Sequence, residues 1–244
     1  MRRISTGVVV VLLLVATAAA IAQRTASDEA IGRLVTQRLM DEGIARVGVS
    51  VASGIVTLRG TVPTLWVKQR AIEEASKVDD VISVVSELTV PRGESDERIA
   101  AQVGQRLQRY VFYTVFDDAN VEVDNGVVTL TGRVTMPYKA DAFADLAAHV
   151  PGVEEVRNEV RALPVSLFDD QLRYAVARRI YGDSLFSRYA TQANPPVHII
   201  VERGRVTLTG VVFSEVERRK AEAIARDTFS VMAVTNTLRI EREE

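Results

Sequence analysis

The sequence predicts a mixed α/β (α+β) protein of three tandem α-β-β-α-β units. Each unit is a three-stranded mixed sheet covered on one face by two helices. Three observations carry this. A nine-residue phrase recurs as GIVTLRGTV from Gly54, GVVTLTGRV from Gly126 and GRVTLTGVV from Gly204, at intervals of 72 and 78 residues. Each copy follows a helix-periodic stretch and a β-patterned run, and precedes a second helical stretch and a closing β run, always in that order. A catalytic motif is seldom needed three times, whereas a structural unit often is.

The chain opens with Arg2 and Arg3, then an apolar run from Gly7 to Ala22 that ends in small residues. A charged start, an apolar centre and a small-x-small finish have the form of a secretory signal. The run has about 16 residues, short of the roughly 20 that span a bilayer. Residues 1–22 are therefore expected to be a cleaved signal peptide that exports the chain to the periplasm, with an uncleaved N-terminal anchor as the alternative. Three units are expected at 23–91, 92–165 and 166–244.

The first helix of each unit begins near Ser27, Ser95 or Ser166, residues suited to N-capping. Asp28 and Glu29 follow where acids favour the helix dipole. Ile31, Leu34, Val35 and Leu39 recur at three- and four-residue spacing, as do Ile99, Val103 and Leu107, and then Leu172, Val176 and Ile180. The strand pair turns at Ser53-Gly54, Asn125-Gly126 and Arg203-Gly204, since two-residue hairpins favour positive φ. On the second strand, alternation points Val56, Leu58 and Val62 inward, and likewise Val128, Leu130 and Val134, then Val206, Leu208 and Val212. Gly60, Gly132 and Gly210 share that inward parity. A glycine there lets a helix approach the sheet or sits in a bulge. All six glycines read as structural. Repeat three also carries an insertion near 185–196, and a loop of that length is more often functional.

Composition excludes several classes of function. The chain has no cysteine, so it has no disulfide, thiol nucleophile or cysteine metal site. Its formal charge is −2, and loss of Arg2 and Arg3 with residues 1–22 makes it −4. That balance argues against nucleic acid as a partner and requires a local patch for any membrane role. The two histidines, His149 and His198, lie at non-equivalent places and read as satisfied or solvent-facing. The acidic pairs Glu73-Glu74, Asp79-Asp80, Asp117-Asp118, Glu154-Glu155 and Asp169-Asp170 read as solvated surface, because adjacent residues diverge on helix and strand alike. No phosphate loop, nucleophile elbow or dinucleotide fingerprint is present. No catalytic residue, metal, cofactor or small-molecule substrate is expected.

The phrase G-[IVR]-V-T-L-[RT]-G-x-V resembles the signature of the BON domain. So does a closing Gly-Val-x-x-Val-x-Asn-x-aliphatic pattern, present in full as Gly152, Val153, Val156, Asn158 and Val160. Repeat three has Ser230 for the glycine and keeps Val231, Val234, Asn236 and Leu238. Repeat one has Asp80 for the glycine and Ser86 for the asparagine, which suggests a different final turn. The arrangement is most similar to the osmotically inducible protein Y group, which usually has two such units. The resemblance implies a non-enzymatic periplasmic binding module, with anionic phospholipid or envelope proteins as partners, active in osmotic or envelope stress.

If the repeats are scaffolds, function lies where they differ. Trp66, the only tryptophan, begins the second helix of repeat one, and Tyr138 and Val216 are its equivalents. The stretch YVFYTVF, from Tyr110 to Phe116, reads as inter-repeat core or a hydrophobic contact surface. Repeat three is the most basic, and Arg188, Arg218, Arg219, Lys220 and Arg226 are candidates to face anionic headgroups. Glu215, Glu217 and Glu222 are interleaved with them, so a solvated helix is an equal reading.

Overall fold

The computed structural model describes residues 27–192 and 194–241. The expected signal peptide lies outside them. The chain divides into two compact units, one up to Gly93 and one from Glu94 onward. The first holds α1 (27–41), β1 (Gly48–Ala52), β2 (Ile55–Thr61), α2 (Leu65–Ser76) and β3 (Ser83–Thr89). The second holds two repeats. One is α3 (Asp96–Gln108), β4 (Asp118–Asp124), β5 (Val127–Val134), α4 (Pro137–Ala148) and β6 (Glu155–Ala162). The other is α5 (Leu167–Tyr181), a 3₁₀ turn (Ser184–Phe186), α6 (Ser187–Ala190), β7 (Val197–Glu202), β8 (Arg205–Val212), α7 (Glu215–Arg226), β9 (Ala233–Asn236) and β10 (Arg239–Ile240).

Each repeat is the expected α-β-β-α-β unit. β1–β2, β4–β5 and β7–β8 are antiparallel hairpins, and β3, β6 and β9 return parallel to the middle strand. In repeat three the returning strand is in two pieces, since β10 also lies parallel to β8. The core is the layer between helices and sheet. In the first unit Ile31, Val35 and Leu39 of α1 and Ala71 and Ala75 of α2 bury Val56, Leu58, Val62 and Leu88. Leu34 is exposed, so the apolar stripe of α1 is narrower than its spacing suggests.

The hairpin turns have positive φ at both central residues: 53° and 76° at Ser53-Gly54 and Asn125-Gly126, 51° and 73° at Arg203-Gly204. Their sense matches the twist of the strands they join. In every repeat an acid in the first turn of the first helix grips this turn. Asp28 accepts from Ser53 N at 2.8 Å and Gly54 N at 2.9 Å. Asp96 does the same for Asn125 N and Gly126 N, and Asp169 for Arg203 N and Gly204 N. The turn glycine's carbonyl then accepts from Ile82, Glu154 or Met232, fixing the returning strand. Ser27, expected as an N-cap, already lies within its helix, whereas Ser95 and Ser166 cap theirs.

Two sequence expectations are corrected. The final turn of repeat one does not differ, because Asp80 (φ 65°) and Ser230 (φ 71°) adopt the left-handed conformation of Gly152 (φ 86°). The strand glycines neither admit a helix nor mark a bulge, since the ladder runs on through Gly132. With φ from 109° to 135°, they make room for the chain entering the first strand. A Cβ would lie 2.9 Å from Arg46 O at Gly60, 2.0 Å from Asp118 O at Gly132 and 1.9 Å from Pro196 O at Gly210.

Repeats two and three share a seam. β7 is an edge strand, and Val115 O accepts from Ile199 N at 2.6 Å. Phe116 packs on the core of repeat three and meets Tyr174 edge-on at 5.1 Å. Val197 to Val201 are consequently buried on both faces.

Candidate functional site

The three repeats differ most where the loop before the first strand meets the N-terminus of the second helix. Aligned on the N-cap residues Thr64, Met136 and Ser214, the position before the cap is Pro63, Thr135 or Phe213. The third helical position is Val67, Lys139 or Glu217. In repeat two Asp117 is fully buried and accepts five hydrogen bonds: from the N–H and hydroxyl of Thr114, those of Thr135, and Lys139 Nζ. In repeat three buried Glu217 accepts from Tyr189 OH at 2.7 Å, Phe213 N at 2.8 Å and the Arg188 guanidinium. Tyr189 stacks on Phe213 at 5.8 Å. Repeat one has neither network, and a groove of about 490 Å³ lies there instead.

The aromatic stretch serves both readings in part. Tyr113 packs on Phe143 at 5.6 Å and on His198 at 5.3 Å, while Val111 and Phe112 are exposed. Phe112 meets half-exposed Tyr138 edge-on at 6.0 Å. Trp66 forms one wall of the groove in repeat one.

The cations singled out in repeat three are engaged. Arg218 forks onto Glu215 at 2.7 and 2.8 Å, and Arg219 reaches the same carboxylate at 2.8 Å. Hydrogen bonds from Arg218 and then Arg219 hold Glu215 down to about 2. Arg226 pairs with Glu222, Lys220 with Asp183, and Arg188 with Glu217 while lying 4.4 Å over the Phe213 ring. Helical spacing places Arg218, Arg219 and Arg226 within one face of α7 and Lys220 away from it. Glu215 and Glu222 lie in the same arc and neutralise it.

The reading of acidic pairs as solvated surface is corrected for three of them. Glu74, Asp117 and Asp169 are buried, because each has structural donors to satisfy. Glu74 accepts from Lys77 and Arg38 and is held to about 2 by those bonds. None of these carboxylates is free for acid–base work, since their oxygens already hold helices and turns in place. His198 is also buried, with Nδ1 lacking a partner, and burial lowers its pKa.

One exposed surface was not legible as a site. It surrounds the Arg203-Gly204 turn. Met232 packs on Gly204, where a Cβ would come within 3.1 Å of its side chain, yet Met232 is 74% exposed. Phe229, three residues earlier, is 92% exposed. Asp169 ties the first turn of α5 to the same turn, bringing Leu167 (81% exposed) and half-exposed Phe168 alongside. Counted from the gripping acid, Leu167 matches Glu94 of repeat two, which touches the position Ser230 occupies in repeat three. Repeat two lacks large apolar side chains at this end, with Glu94, Ser95, Pro151 and Glu154 in the equivalent places. Arg203 and Arg205 flank the patch, exposed and without an ion pair among the described residues.

The BON domain model matches residues 27–92, 95–164 and 170–242. The chain belongs to the BON domain family and carries three copies of the domain. No curated protein matches it. Among solved structures, CdsD, a structural protein of the type III secretion system of Chlamydia trachomatis, is 17% identical over 87% of this chain and 92% of its own, with a TM-score of 0.26. The periplasmic domain of the type III secretion inner-membrane protein PrgH from S. typhimurium is 12% identical over 81% of this chain and all of its own, with a TM-score of 0.23. Neither TM-score reaches 0.5. Among the described residues no helix is long and apolar enough to cross a membrane.

Proposed function

We propose that this is a non-catalytic, periplasmic envelope protein that docks on anionic phospholipid surfaces, in the setting of osmotic or envelope stress. The observation that carries this is the end of repeat three, where Leu167, Phe168, Phe229 and Met232 stand exposed beside Arg203 and Arg205, which have no ion pair among the described residues. Apolar side chains on tight turns can enter the headgroup layer with little backbone adjustment. Each arginine beside an anionic surface contributes on the order of 1 kcal/mol. Isolated exposed apolar residues are ordinary, but a group rimmed by cations marks an interaction site. The buried carboxylates support the non-catalytic reading, being saturated by structural donors.

Co-flotation of residues 23–244 with anionic and zwitterionic vesicles tests this. Binding to anionic vesicles is expected, weakened by salt and by Phe229→Ser or Arg203→Glu with Arg205→Glu. Reversal of Arg218, Arg219 and Lys220 is expected to matter less, because their charge is already met. Absence of flotation under every condition would remove direct lipid binding as the activity. A protein-interaction scaffold is then the remaining reading, favoured by the groove beside Trp66.

A further inference from the structure

The three repeats close the same junction differently, and the difference leaves the first one open. In repeat three the 3₁₀ turn and α6 cover it and lay Phe186 and Tyr189 into the junction, both buried. In repeat two residues 109–117 cover it, with Asp117 on Thr135 and Lys139 and Phe112 against Tyr138. In repeat one, among the described residues, only 42–47 are available. What remains is the groove of about 490 Å³, walled by Ile44, Val47, Pro63, Trp66, Val67 and Pro91. Its size falls within the roughly 300–1,000 Å³ of specific ligand sites.

Pro63 explains why this groove stays apolar. The equivalent N–H groups of Thr135 and Phe213 are satisfied by buried carboxylates. Proline has no N–H, so the junction in repeat one needs no carboxylate at its floor. At the rim Glu42 is already bound by Arg70. Arg46 is exposed and has no ion pair among the described residues.

We infer that this groove docks a short aromatic segment of a partner protein, which supplies in trans what residues 183–190 supply within repeat three. The sibling repeat defines the chemistry of the occupant: a helical turn with two aromatic side chains three residues apart, as Phe186 and Tyr189 are. Arg46 adds a demand for a carboxylate beside them. Aromatic anchors in an apolar pocket are what dominates such interfaces. The inference does not depend on lipid binding by repeat three.

Trp66 is the sole tryptophan, so its fluorescence reports on this groove in the full chain. The probe is a synthetic peptide copying residues 183–192 with Arg188→Glu. A saturable change in Trp66 emission is expected. Ala45→Phe, which narrows the mouth, and Arg46→Glu should each weaken binding at least tenfold. Both positions are exposed, so the fold is retained. A peptide with Phe186→Ala and Tyr189→Ala should give no response. An absent response to the first peptide, or one unchanged in both variants, overturns the inference. So does a shift of Trp66 emission with phosphatidylglycerol vesicles but not with peptide, which would assign the groove to the bilayer. Loss of lipid flotation alone leaves these readouts unchanged.

Discussion

Lys139 Nζ lies 2.7 Å from Oδ2 of Asp117, and both side chains are buried. The pair sits beneath the N-terminus of α4, where Asp117 also gathers Thr114 and Thr135. Removing one member of a buried, hydrogen-bonded pair leaves a charge without a partner. Asp117→Ala should therefore destabilise the second unit by about 3–5 kcal/mol. Lys139→Met should cost less, since Asp117 keeps four other donors. Urea denaturation of both variants and the double mutant checks this. Equal losses for the two single variants would show that Lys139, and not the other four donors, dominates.

The gripping acids give a second prediction. Asp169 is buried and holds two turn N–H groups at 2.8 Å, whereas Asp28 and Asp96 are only half-buried. Replacing each with alanine should cost about 1–3 kcal/mol, most at Asp169, where the abandoned N–H groups are furthest from water. Thermal melts should rank the three variants in that order.

The left-handed final turns give a third. A non-glycine residue in that region is strained by about 1–2 kcal/mol, partly offset by the greater chain entropy of unfolded glycine. Asp80→Gly and Ser230→Gly should each stabilise by about 0.5–1 kcal/mol. Gly152→Ser should destabilise by more, because a Cβ there would stand 3.1 Å from Ile99. Denaturant midpoints for the three variants decide it.

These cases show what the sequence made legible. Strand parity and the Asn125-Gly126 turn were readable because local periodicity and dihedral preference encode them. The departure at Asp80 misled because a tertiary frame held its backbone against residue preference. Asp28 looked like a helix-dipole acid and Asp169 like solvated surface, since nothing local shows that a carboxylate reaches a turn 25 or more residues away. Asp117 and Lys139, 22 residues apart, carry no pattern at all. The pairing of α7 was readable in principle, because Glu215 to Arg219 and Glu222 to Arg226 are i,i+4 pairs. Phe229 and Met232 were hidden because they stand either side of Val231, which is half-buried against the core, and an apolar run does not reveal which member faces out.

Acid should loosen the first unit through Glu74. Its carboxyl ordinarily titrates near 4.5 and is held to about 2 in the fold, first by Lys77 and then by Arg38. A depressed carboxylate pKa means that the unfolded chain takes up the proton first. The stabilisation is complete above about 4.5 and is lost as pH falls toward 2. Glu74→Gln should flatten that fall in urea titrations across the window, and an unchanged slope would place the acid sensitivity elsewhere.

His198 should make the second unit sensitive at a milder pH. Burial is the main cause of its lowered pKa, and its ring lies against Tyr113 at the seam between repeats two and three. Asp117 and Asp118 face it and oppose the shift without cancelling it. The folded state thus holds a neutral imidazole while the unfolded state protonates near the ordinary 6.5. Stability conferred by the neutral form is present above that value and declines as pH falls below it, because protonation favours the unfolded chain. The denaturation midpoint of the second unit should drop between pH 7.5 and 5.5, while that of the first unit, which has no histidine among its residues, should hold. His198→Asn should remove the drop while costing some stability at pH 7.5. If the drop persists in that variant, the sensitivity does not arise at His198.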